Sequence, residues 1–293
     1  MNRVGNGPAE RDSTRLRDLI ALDLFVGFSS VSVDAWNDMV CSLETRLSLN
    51  PSQRICDIGC GAGALLFPLY ERGYRNLAGV DFAPRLVEIC RKVIPEGDFR
   101  VCEASRLTFD AETFDVVLCN SVFQYFPHLA YAKDAFREMI RILKPDSQGA
   151  VLDIPDAQKM NLYEIEATTR RRAMSHLRPM LAYLRPILTR FLHLPYTIFP
   201  HTSYERSWFA ALANEYKLEY EIVDQSISGY LNSRFRFNFF FRKPKERYGD
   251  RNSAHGTCQR TRSLRTRLRA SIIPARSRRC GALPPLVHVF EAI

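Results

Sequence analysis

Residues 55–66 read ICDIGCGAGALL: a short apolar run carrying Asp57, glycines at 59, 61 and 63, then apolar residues again. The first run has the length and composition of a buried strand, and the residues after Gly63 continue as a helix. Glycines between a strand and a helix let backbone N–H groups and a helix N-terminus come close to a ligand. Gly59-Cys60-Gly61-Ala62-Gly63-Ala64 also satisfies the GxGxxA dinucleotide pattern, and a tight turn without any ligand is the structural alternative. The neighbours decide what the loop approaches.

Outward from this loop the pattern alternates. Helical spacing over 33–49 precedes the strand 54–58; helix 64–72, strand 77–80 and helix 84–93, with a proline in its first turn, follow. Strands at 99–102 and 114–119, a helix at 130–143 stopped by Lys144-Pro145, and a fifth strand at 150–154 complete this part. Short apolar strands alternating with amphipathic helices imply an α/β fold, a parallel sheet with helices on both faces. Residues 157–203 break the rhythm as a basic, apolar, proline-interrupted helical insert. Regularity returns with helix 204–216 and strands 218–223 and 235–242.

The chain has 293 residues, enough for one large domain with appendages. Residues 1–30 read as a disordered arm, 31–244 as the folded domain and 245–293 as a disordered basic tail. The net charge of +9 is mostly in that tail, which holds 11 of the 41 Lys and Arg and 3 of the 32 Asp and Glu. The folded part is near neutral, which removes the main argument for a specific nucleic-acid partner. Eight scattered cysteines, without a CxxC pair or a Cys/His cluster, suggest neither a disulfide framework nor a metal site. The polar N-terminus and the lack of a long apolar run place the chain in the cytoplasm as a default.

Polar residues recur at successive strand ends. Asp57 lies beside the glycine loop, where it repels a pyrophosphate and suits a cationic or amine-bearing ligand. Asp81 closes the second strand, Glu103 the third, and Asn120-Ser121 follow the fourth. In an open parallel sheet these carboxyl ends form the ligand crevice.

In order and spacing, ICDIGCGAG, LAGVDFAPRLVEICRK, FRVCEASRL, FDVVLCNSVFQYF and EMIRILKP resemble the motifs of class I S-adenosylmethionine-dependent methyltransferases. The resemblance covers roughly residues 36–243. It implies a Rossmann-like, seven-stranded, mostly parallel sheet whose last strand, FRFNFFFRK, is antiparallel. It implies S-adenosylmethionine as cofactor, with Asp57, Gly59, Gly61 and Gly63 at its methionine and ribose end. Asp81 is then expected to hold the ribose hydroxyls and Phe82 to lie against the adenine. Glu103-Ala104 match the adenine-contacting position, where the family more often has Asp, and Asn120 borders the methionine moiety. An NAD enzyme is the alternative that the glycine pattern alone leaves open.

Methyl transfer asks mainly for alignment, because the sulfonium is already activated. A hydroxyl acceptor also wants a base, for which His128 and His201 are the candidates, a capping or surface histidine being the alternative for each. Gln124 and Tyr125 are expected to line the acceptor pocket, joined by Tyr230 and Arg234 with their neighbours Asn232 and Arg236. Residues 204–243 look like the C-terminal part of bacterial methyltransferases of sugar and polysaccharide biosynthesis, which implies a small-molecule or glycan-like acceptor methylated at oxygen. N-methylation of an amine or protein side chain, and a binding protein without turnover, are the alternatives. The insert is expected to act as a lid; its arginines within 170–200 also suit an anionic membrane surface, against the reading of a solvated helix face.

Overall fold

The computed structural model describes residues 8–22, 31–163 and 202–245. In chain order these form α1 (Pro8–Leu22), α2 (Val33–Arg46), β1 (Ile55–Ile58), α3 (Phe67–Glu71), β2 (Leu77–Asp81), α4 (Pro84–Val93), β3 (Asp98–Val101), β4 (Phe114–Asn120), α5 (Leu129–Ile142), β5 (Leu143–Pro155), α6 (Arg206–Glu215), β6 (Glu219–Asp224) and β7 (Arg236–Lys243). The strands make one seven-stranded sheet in the order β3-β2-β1-β4-β5-β7-β6. β1 to β5 run parallel; β7 is antiparallel to β5 and β6 antiparallel to β7. The α/β reading and its antiparallel last strand are therefore seen directly.

Alternation along the strands builds two cores. In β4, Val116 and Leu118 face one side with α1 to α4, while Val117 and Cys119 face the other with α5 and α6. The second core is aromatic: Phe209 on α6 lies 5.0 Å and 5.7 Å, ring to ring, from Phe239 and Phe237 on β7. On the first side, α2 starts at Ser32, whose Oγ accepts the Ala35 N–H (3.1 Å). Its Trp36 is fully buried and donates Nε1–H to the Ala64 carbonyl (2.9 Å), which ties α2 to the glycine loop.

The expectation of a disordered arm over 1–30 is corrected by α1. Leu16, Leu19 and Ile20 share one face of this helix and are buried in the first core, and the Arg15 guanidinium lies 4.9 Å over the Phe67 ring. The folded body therefore starts before residue 31. The run of polar residues from 10 to 18, broken only by Leu16, conceals this short apolar stripe. The helix expected over 64–72 is also shorter, because residues 64–66 complete the turn.

Only the two ends of the 157–203 insert lie among the described residues; the rest of it, with its lid and membrane readings, falls outside them, as does the tail after 245. Those ends are stitched together. Ala157 N–H donates to the Tyr204 carbonyl (2.9 Å) and Tyr204 N–H to the Pro155 carbonyl (2.9 Å). Buried Asp156 accepts both Nε and Nη2 of Arg206 (3.0 and 2.9 Å). A chain that leaves and returns through a closed neck can be shortened without unpairing the sheet. Replacing 160–201 by a short Gly/Ser linker is expected to leave far-UV circular dichroism and cooperative melting intact; loss of the cooperative transition would refute this.

Candidate active site

The glycine loop stands at the carboxyl ends of β1 and β2. Its backbone has φ of +77° at Gly59, +52° at Gly61 and +95° at Gly63, a region that costs any side chain energy. Gly59 and Cys60 N–H groups both donate to the Val80 carbonyl (2.7 and 2.9 Å), so the loop is pinned to the β2 end. Two glycines serve the protein's own packing. A Cβ on Gly59 would stand 2.2 Å from Val122 Cγ2, and one on Gly63 3.0 Å from Cys90 Sγ. At these two positions the protein's own packing is by itself a reason for glycine.

Asp81 organises the remainder. Its Oδ2 accepts the Gly61 N–H (3.0 Å) and its Oδ1 the Ala83 N–H (2.8 Å), and only 9 % of the residue is exposed. Burial raises its carboxyl above the ordinary range, and the N–H groups of Ala83, Gly61 and Phe82 work against that rise. Beside it Phe82 is 78 % exposed, an aromatic face with little protein over it. Asp57 is buried at the end of β1. Glu103 is exposed and accepts the Tyr131 hydroxyl (2.9 Å), with Ala104 half-buried next to it.

Asn120 ends β4 and lines a cavity of about 440 Å³ between α2 and β5, β7 and the turn after β6. Asp38, Ser42, Gln225, Ser226 and Asn238 share the lining. None of the acceptor residues expected from the sequence, Gln124, Tyr125, Tyr230 and Arg234, lines it. Gln124 is buried, donates to the Ser121 carbonyl (3.2 Å) and accepts from Arg236. Tyr230 is buried and donates to Asp153 Oδ2 (3.3 Å). Arg234 is exposed, with its guanidinium 4.8 Å over Phe235, and Tyr125 is 38 % exposed. His128 caps α5, its Nδ1 accepting the Tyr131 N–H (3.1 Å), and is exposed; the base expected there is in the structure a helix cap. His201 lies outside the described residues. Among the described residues no cluster of His, Cys, Asp or Glu is arranged to hold a metal.

Sequence reading passed over Asp153. It is 1 % exposed, has φ of +58°, and sits at a bulge where the β5–β7 register shifts. Ser121, Gln225 and Tyr230 donate to its carboxylate, and its N–H donates to Asn238 Oδ1 (2.9 Å). The signal was present: VLDIP places one acid within a buried apolar strand, as ICDI and LAGVD do.

The family described as "Methyltransferase domain" matches residues 56–151, from β1 through most of β5. That match spans about a third of the chain. An uncharacterized methyltransferase of Schizosaccharomyces pombe is 26 % identical over 110 residues, 38 % of this chain and 42 % of the relative. The sterol 4-C-methyltransferase of Caenorhabditis elegans is 25 % identical over 150 residues, 49 % and 43 % of the two chains. The chain thus spans less than half the length of these relatives. The fold is shared with an S-adenosylmethionine-dependent methyltransferase of Methanosarcina mazei at a TM-score of 0.50 and 18 % identity, over 70 % of this chain and 98 % of that one.

A methyltransferase domain implies S-adenosylmethionine as its cofactor. The donor set fits that group. Asp81 offers two buried carboxylate oxygens to vicinal hydroxyls, Phe82 an open face to a purine, and Asp57 a negative charge where a pyrophosphate would be repelled. Among the described residues no helix is long and apolar enough to cross a membrane.

Proposed function

We propose that the protein transfers the methyl group of S-adenosylmethionine to a hydroxyl oxygen of a small-molecule or glycan-like acceptor. The observation that carries this reading is the cavity beside Asn120. Its lining of carboxylate, amide and hydroxyl side chains supplies both donors and acceptors, which suits a body rich in hydroxyl groups. The cofactor supplies a methyl group on a cationic sulfur. The chain's own work is then to bind and align: Asp81 accepts the ribose hydroxyls, Phe82 covers the adenine, and Asp57 and Asn120 hold the methionine end. The glycan-like acceptor follows the expectation drawn from the sequence of residues 204–243.

The reading is tested by incubating the full chain with methyl-labelled S-adenosylmethionine and matched sets of sugars, nucleotide sugars, lipid-linked glycans and amines. Label is expected in hydroxylated compounds as an alkali-stable ether. Label found only in amines would replace the reading with N-methylation, and no transfer despite cofactor binding would favour a binding protein.

Cofactor affinity should depend on pH through Asp81. Only the ionised carboxylate accepts two hydroxyls, and burial raises its pKa. S-adenosylhomocysteine is therefore expected to bind more weakly as pH falls, starting above the ordinary aspartate range near ~4. Calorimetric titration from neutral to mildly acidic buffer checks this; a flat profile would count against Asp81 as the ribose acceptor.

A further inference from the structure

We infer that Asp153 is a positioning residue for the cofactor's methionine end, acting through Ser121 on the turn that carries Asn120. The inference rests on the cofactor site proposed above, and it does not depend on which acceptor is methylated.

Two residues that are not glycine hold left-handed backbone at neighbouring strand ends: Ser121 with φ of +58° just after β4, and Asp153 with φ of +58° within β5. Such conformations persist only where the surroundings over-determine them, and an observed outlier of this kind points toward function. The two are bonded to each other, Ser121 Oγ donating to Asp153 Oδ2. The Ser121 N–H also donates to the Leu152 carbonyl (3.1 Å), so the turn is held at backbone and side chain alike.

Other elements also meet the carboxylate. From the segment after β6, Gln225 Nε2 donates to Oδ1 (2.7 Å) and the Tyr230 hydroxyl to Oδ2. From β7, Arg236 places Nε 3.9 Å from Oδ1, the charged group that faces Asp153. Arg236 also donates to Gln124 Oε1, and Gln124 donates back to the Ser121 carbonyl. Each of these side chains is at least nine-tenths buried. A buried acid and guanidinium held 3.9 Å apart gain little stability after desolvation, so stability alone is a poor reason to keep them. What the network does achieve is to fix the Asn120–Ser121 turn from both sides while Asn120 itself borders the cavity.

The ionised carboxylate accepts from three donors at once, and protonation would turn one of its oxygens into a donor. Burial raises the Asp153 carboxyl, while Arg236, Ser121, Gln225 and Tyr230 oppose that rise. Asp81 is raised as well, so the two acids are separated by comparing proteins.

The test is calorimetric titration with S-adenosylhomocysteine of the full chain, Asp153→Asn and Ser121→Ala, between neutral and mildly acidic pH, with melting curves at each pH. Binding to the wild type checks the cofactor reading by itself; no binding there would overturn the reading and this inference with it. Given that binding, both variants are expected to lose about tenfold in affinity at neutral pH. Their profiles should approach the wild-type profile on acidification, since protonation already removes the acceptor in the wild type. Should Asp153→Asn fail to fold, because Arg236 is left buried without its acid, Ser121→Ala decides alone. Wild-type affinity in folded Ser121→Ala, or a loss that stays the same at every pH, would reduce Asp153 to a structural role and overturn the inference.

Discussion

Asp81→Ala is expected to abolish measurable binding of S-adenosylmethionine and S-adenosylhomocysteine while leaving a folded protein. The carboxylate offers two charge-assisted acceptors to the ribose, each contributing about 1.5–3 kcal/mol. Their joint loss is on the order of 10²–10⁴ in affinity. The same carboxylate holds the Gly61 and Ala83 N–H groups, so the glycine loop loses its cross-brace together with the ligand contact. Loop and ligand effects therefore need separating. Asp81→Asn keeps the volume and one acceptor oxygen, and should fall between wild type and alanine in both melting temperature and affinity. Unchanged affinity in a titration of Asp81→Ala would remove the cofactor assignment altogether.

The parts of the fold that were legible in the sequence are those where one local signal suffices. The apolar runs in ICDI and FDVVLC, the proline at the start of α4 and the glycines after β1 each report a backbone need, and together they require a parallel sheet. Asp81 was legible because a strand-end acid beside a glycine loop has a chemical reason to be there. Gln124 and Tyr230 depart from the expected pocket lining for the opposite reason. Sequence shows that a side chain is polar, whereas burial decides whether that polarity meets a ligand or the interior, and both are turned inward. Asp153 escaped notice because its partners come from positions 121, 225, 230 and 236, separations that no local pattern reveals. α1 escaped because three apolar residues on one face are a weak signal within a polar stretch until a neighbouring core is available to bury them.

The glycine loop separates two explanations that sequence alone merges. If Gly59 is glycine because the protein crowds it, Gly59→Ala should be destabilising even without any ligand. The new Cβ would stand 2.2 Å from Val122 Cγ2 and 3.2 Å from its Cβ and Cγ1. Val122 is β-branched, with little rotamer freedom to withdraw. Overpacking of this kind costs about 1–3 kcal/mol. A φ of +77° adds about 1–2 kcal/mol for a residue carrying a Cβ. A loss of about 2–5 kcal/mol corresponds to a fall in melting temperature of roughly 5–20 °C for a domain of this size. Adding Val122→Ala should return the overpacking part and leave the backbone part, so the double variant should melt between Gly59→Ala and wild type. Cofactor affinity should fall less than in Asp81→Ala, because the displaced atoms belong to Val122 and to the turn behind the loop. The opposite pattern, a wild-type melting curve with cofactor binding lost, would mean that Gly59 faces the ligand and that the contact with Val122 has been given too much weight.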